Sequence, residues 1–149
     1  MRYAYTSFSR PTPSISLVGR RDQPRPIISV GLIGPGNSIA RDAQIDSGSD
    51  ETFFPTWLAL YIGVDLTSAP IESFKGQGGG RMTARFACIN LRITDGFEFR
   101  EWPAYVGFVS ANLSRPVLGY GGFLQFFDAT FRGADEAVEL VVNRLYSGT

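Results

Sequence analysis

Apolar and β-branched residues recur along most of the chain in short runs with a two-residue period, and the runs stop at glycine, proline or asparagine. Residues 26–33, PIISVGLI, predict a strand ending at the turn Gly34-Pro35-Gly36-Asn37, and residues 40–45 predict the strand that returns from it. Residues 55–62, PTWLALYI, break the period. Proline in the first turn and Gly63 just past the end frame a short helix, and apolar residues surround so much of it that burial is expected. The two-residue period returns from Ile71 to Val109. Phe74 leads into the glycine cluster 76–80, residues 82–93 predict one long strand and 97–109 another, with Cys88 expected as a small buried hydrophobe in the first. Residues 116–127 read as a second helix, Phe123 and Phe127 four apart on one face, and residues 129–131 and 137–142 supply two more strands. At the other end residues 3–8 alternate around aromatic side chains and predict a terminal strand, while residues 9–26 carry four prolines and a cluster of arginines. The pattern predicts a mainly β domain over residues 26–149 with one or two short helices, preceded by an N-terminal arm or strand over residues 1–25.

Composition narrows the chemistry. A chain of 149 residues fits one ordinary domain. Fourteen basic and fourteen acidic residues give no net charge and a pI near 6.2, so no bulk field attracts phosphate backbones or anionic membranes, and a nucleic-acid binder is disfavoured. Histidine is absent and Cys88 is the sole cysteine. Those two facts exclude a Ser-His-Asp triad, a Cys-His pair, a Cys/His zinc site and an intrachain disulfide. Catalysis is left to carboxylates, hydroxyls, Lys75 and thirteen arginines. The first residues lack the apolar run of a signal peptide, and no window reaches the roughly eighteen apolar residues of a membrane span. With a lone cysteine, a soluble cytoplasmic protein is expected.

The most informative stretch is Ala43-Gln44-Ile45-Asp46-Ser47-Gly48-Ser49-Asp50, which runs through Thr52-Phe53-Phe54 back into apolar sequence. Aspartate, serine and glycine are ordinary turn residues, so a surface turn is one reading. Apolar flanks on both sides suit a carboxylate held at the floor of a cleft instead. This layout resembles the retroviral-type (retropepsin-like) aspartic proteases, in which an apolar strand feeds Asp-Ser/Thr-Gly-Ala/Ser-Asp. A second element of that family, an apolar pair followed by glycine, is matched by Pro116-Val117-Leu118-Gly119 with Phe123-Leu124 behind it, Gly119 lying 73 positions after Asp46. Between the two, Gly76, Gly78, Gly79 and Gly80 inside a predicted β-hairpin resemble the family's flap. The resemblance covers about residues 26–131. It implies a closed β-barrel working as a two-fold homodimer, with Asp46 catalytic, Ser47 and Gly48 supporting it, Asp50 and the flap glycines at the substrate, and Leu118 and Gly119 as the second motif. It implies a peptide or protein substrate and no cofactor or metal. One departure stands out. Many family members place an arginine after the second-motif glycine, paired with the residue equivalent to Asp50; here Tyr120-Gly121-Gly122 follows, so Asp50 needs another partner, an arginine elsewhere or a backbone amide.

The chemistry requires two carboxylates. One takes a proton from water while the other gives one to the leaving amine, and two carboxylates a few Å apart share a proton because they resist ionising together, the handling of charge known from aspartic proteases. The chain has one such motif, so two copies of Asp46 across a two-fold axis are needed. The glycine cluster is not followed by the lysine-serine/threonine pair of a phosphate loop. Two other readings stay open: an inactive dimerising or peptide-binding module of the same fold, and a β-barrel binder of RNA or sugar, for which Arg81 and Arg85 interleaved with Phe86 are the cue.

Overall fold

β4 (Ile27–Ile33) and β5 (Ser38–Ile45) form the antiparallel hairpin that the turn at 34–37 calls for, Ile27 opposite Gln44 and Ile33 opposite Ser38. Ile28, Val30 and Leu32 alternate into the core. These strands belong to a computed structural model that describes residues 1–75, 79–110 and 113–149. The protein is mainly β. After β5 come β6 (Phe53–Pro55), the helix α1 (Thr56–Tyr61), β7 (Ile71–Lys75), β8 (Arg81–Thr94), β9 (Phe99–Val109) and β10 (Val117–Leu118). They build one seven-stranded sheet in the order β4-β5-β10-β6-β9-β8-β7, and β4 pairs again with β8 through Gly31 opposite Arg92, so the sheet closes into a ring. The 14 residues of β8 make this possible. Its first half pairs with β7, its second half with β4, and β9 runs along it from Ala84 to Thr94.

The remaining strands lie outside the ring. β1 (Arg2–Ala4), β12 (Ala137–Val142) and β11 (Phe127–Arg132) make a three-stranded sheet, and β2 (Thr6–Ser9) pairs with β3 (Asp22–Arg25) in a two-stranded ribbon. Phe8 of that ribbon carries the guanidinium of Arg115 over its ring at 4.5 Å and that of Arg25 at 5.8 Å. The main core centres on Trp102, which is 1% exposed. Its ring meets Phe127 edge-on at 5.1 Å and Phe123 at 5.8 Å, and its Nε1–H donates to the carbonyl of Gly122 at 3.0 Å. No helix among the described residues is long and apolar enough to cross a membrane.

Three expectations change. Residues 116–127 are not an α-helix: they hold the short strand β10, a turn, and a 3-10 helix over Leu124–Phe126. Glycines at 119, 121 and 122 remove helix propensity, and Gly122 takes φ +82°. The four-residue spacing of Phe123 and Phe127 nonetheless brings their rings to 5.3 Å. Helix α1 forms, but it buries only Leu58 and Ala59, while Trp57, Leu60 and Tyr61 face outward. One face of the helix packs on the main core and the opposite face meets solvent. Cys88 is exposed, because strand parity puts Ile89, Leu91 and Ile93 inside and leaves Cys88 on the opposite face, across from Tyr105.

Candidate functional site

The position of Asp46 follows from the strand order. β10 lies between β5 and β6, parallel to the first with Leu118 opposite Ile45 and antiparallel to the second with Val117 opposite Phe53. The chain leaving β5 must therefore pass over the end of β10 before it re-enters the sheet as β6. Residues 46–52 are that crossing, and Asp46 is its first residue. Apolar residues on both sides of the DSGSD sequence are thus two neighbouring parts of one buried sheet.

Hydrogen bonds lace the crossing to the residues that follow β10. The Asp46 N–H donates to the Leu118 carbonyl at 3.0 Å, the Tyr120 N–H to the Ser49 carbonyl at 2.9 Å, and the Gly121 N–H to the Asp50 carbonyl at 2.8 Å. Thr52, wholly buried, completes the set: its hydroxyl accepts the Gly119 N–H at 3.2 Å, its N–H donates to the Gly121 carbonyl at 3.1 Å, and its carbonyl accepts the Gly107 N–H at 2.9 Å. Within the turn, Asp46 Oδ1 accepts the Gly48 N–H at 2.9 Å and the Ser49 hydroxyl donates to the Glu51 carbonyl at 2.8 Å. Asp46 is half-buried, with one carboxylate oxygen held by Gly48. That hydrogen bond sets the direction of the carboxylate, and the side chain keeps partial access to solvent.

The sequence motifs at Asp46 and at Leu118-Gly119 thus meet in space. Ser47 and Gly48 lie exposed at the head of the turn beside Asp46. Asp50 is exposed, and its side chain has no hydrogen-bond partner among the described residues; the backbone of Gly121 holds its carbonyl instead. A side chain at 121 would displace mainly the mobile end of Glu51, whereas Gly122, at φ +82° and with the Tyr105 carbonyl oxygen 2.6 Å from where a Cβ would stand, is where the turn after Gly119 requires glycine. Glu51 is half-buried, and desolvation, then the charges of Glu72 and Asp50, raise its pKa from the ordinary 4.5. Gly79 and Gly80 stand at the far end of the β7–β8 hairpin with open space around them, Gly79 at φ +77°. Gly76 and Gly78 lie outside the described residues.

Sequence reasoning missed two contributors. Thr52 looked like part of an apolar run, although a lone hydroxyl inside such a run is the signal for a buried hydrogen-bonding role. The second is an aromatic cluster joining the crossing to the hairpin. Phe53, first residue of β6, meets Phe74 of β7 edge-on at 5.2 Å, and Phe74 stands 6.0 Å from Phe86 of β8. Ala84, Val109, Met82 and Leu113 complete this small core, separate from the one around Trp102. No protein-family model and no curated protein matches the chain.

Proposed function

We propose that the chain is an aspartic endopeptidase of the retropepsin-like kind, with its ring of strands as the closed barrel of that fold. It acts as a two-fold homodimer in which Asp46 of each copy supplies one carboxylate of the catalytic dyad. The observation that carries this reading is the lacing of the Asp46 turn to Leu118-Gly119-Tyr120-Gly121. A surface turn needs no such support from a segment some seventy residues away, whereas a carboxylate that must meet its own copy with fixed geometry does. In the dimer one Asp46 is protonated and the other ionised. The ionised carboxylate takes a proton from a water molecule as the water oxygen bonds to the peptide carbonyl carbon, and the protonated carboxyl gives its proton to the carbonyl oxygen. The C–N bond then breaks as the first carboxyl passes its new proton to the leaving nitrogen and one hydroxyl of the intermediate returns a proton to the second carboxylate. Ser47 braces the pair through its hydroxyl or amide, Gly48 lets the backbone approach the substrate closely, and Gly79 and Gly80 cover the substrate with the hairpin. A reducing compartment such as the cytoplasm suits the exposed Cys88.

A peptide-library digest with wild-type protein and Asp46→Asn in parallel tests the reading. Cleavage by the first and none by the second supports it. Tyr120 in the place of an arginine, with the Asp50 side chain unpaired among the described residues, favours a second reading: a dimerising or peptide-binding module of the same fold without activity. A wild-type dimer that binds peptides and cleaves none of them would establish that alternative.

A further inference from the structure

A cleft of about 670 Å³ opens between α1, the segment that follows it, and the stem of the β7–β8 hairpin. That volume is in the range of small-ligand sites, roughly 300–1,000 Å³. It contains no residue of the Asp46 turn or of the 117–122 segment. Leu60, Val64 and Met82 give it apolar surface, and Leu60 is 72% exposed despite being leucine. Arg81 and Arg85 line it from one face of β8. Arg85 Nη1 donates to the carbonyls of Leu66 at 3.0 Å and Thr67 at 3.4 Å, so the backbone fixes this guanidinium. Neither arginine has a carboxylate partner among the described residues. The one acid in the lining, Asp65, is turned onto its own loop, where Oδ1 accepts the Thr67 N–H at 2.9 Å and the Thr67 hydroxyl at 2.8 Å.

Two cations that no carboxylate pairs with among the described residues, beside exposed apolar surface, complement an anion carrying an apolar tail. We propose that this cleft binds a small amphiphilic carboxylate, its head on Arg81 and Arg85 and its tail on Leu60, Val64 and Met82. A fatty acid and the C-terminal end of an apolar peptide share that chemistry. Met82 also packs against the aromatic cluster around Phe53, so a molecule in the cleft touches the hairpin that the proposed peptidase uses as its cover.

Isothermal titration of the full chain decides the matter. The probes are decanoate against decan-1-ol, and N-acetyl-Leu-Leu as free acid against its amide. At least one of the two carboxylates should bind saturably with one molecule per chain, about ten-fold tighter than its uncharged counterpart, the worth of a charge-assisted hydrogen bond. Arg81→Gln should weaken that binding by a similar factor, and Leu60→Glu should abolish it. Both positions bear outward side chains, and Arg81 is preferred to Arg85 because Arg85 also fixes residues 66 and 67. Binding of decanoate alone points to a lipid-derived ligand and binding of the peptide acid alone to a peptide terminus; either supports the site. No saturable binding by either acid, equal binding of acid and uncharged probe, or affinity indifferent to Arg81→Gln overturns it. The heat signal is independent of peptide cleavage, so Asp46→Asn should bind the probe like wild type whether or not the peptidase reading holds.

Discussion

Gly119 lies flat against the backbone of Glu51: a Cβ added to it would overlap the Glu51 carbonyl and stand 2.7 Å from the Ser49 carbonyl oxygen. The second motif therefore needs glycine for close approach of two backbones, not for a turn. Gly119→Ala should cost about 1–3 kcal/mol, the usual penalty of overpacking, and should displace the Asp46 turn. Gly80→Ala, with no atom of the described residues within 4 Å of the added carbon, should be nearly neutral. Urea unfolding of the two variants checks the contrast, and equal midpoints would contradict the packing account.

Asp46→Asn should remove peptidase activity and leave the fold intact, since an asparagine carbonyl can still accept the Gly48 N–H that Asp46 Oδ1 accepts. In an equal mixture of wild-type and variant chains with free exchange, about a quarter of the dimers carry two aspartates. Activity per total protein should then fall to about a quarter of the wild-type value, instead of the half expected of independent sites. Size-exclusion of the mixture verifies exchange.

Peptidase activity should be favoured from acidic to near-neutral solution and decline as pH rises, because the dyad works with one proton and loses its acid when that proton leaves. A rate that keeps climbing into alkaline solution would sink the aspartyl mechanism.

Stability has its own pH signature. Burial raises the folded-state pKa of Glu51, so the folded protein holds that proton more tightly than the unfolded chain does. The resulting stabilisation is complete below the ordinary glutamate value and is lost as pH rises through the raised folded value. Glu101 has the opposite sign: its hydrogen bond from Arg92 lowers its pKa, and its contribution is lost as pH falls through the lowered value. Denaturation midpoints measured from mildly acidic to neutral pH should therefore decline less for Glu51→Gln than for wild type. Parallel curves would remove Glu51 as a source.

Gly79 takes φ +77°, and proline fixes φ near −65°, so Gly79→Pro forces a different backbone path at the end of the hairpin. Turnover of peptide should fall several-fold more than any loss of thermal stability explains, since no atom of the described residues lies within 4 Å of a Cβ built on Gly79. Unchanged steady-state kinetics would mean that this end of the hairpin is a plain loop.

Strand periodicity made the β4–β5 hairpin and the long strand β8 legible, because alternate burial leaves a two-residue mark on composition. It could not say that β10 inserts between β5 and β6, since that pairing joins residues such as Gln44 and Val117 that are far apart in sequence. The helix expected over 116–127 failed on two counts: glycines at 119, 121 and 122 weaken it locally, and Val117 and Leu118 are drawn into the sheet by distant partners that local spacing does not record. At the site, Asp46, Gly48 and Gly119 were readable from residue type and order. Thr52 was not, because its role appears only once Gly119 and Gly121 come beside it.

The ring has a consequence for solubility. Among the described residues β7 ends the seven-stranded sheet with β8 as its one neighbour, so one side of its backbone keeps unpaired donors and acceptors. Such an edge is where separate molecules add strand to strand and begin to aggregate. Five residues long and bearing exposed Glu72 and Lys75, β7 offers a short, charged template, the form of edge that discourages stacking in a crowded solution.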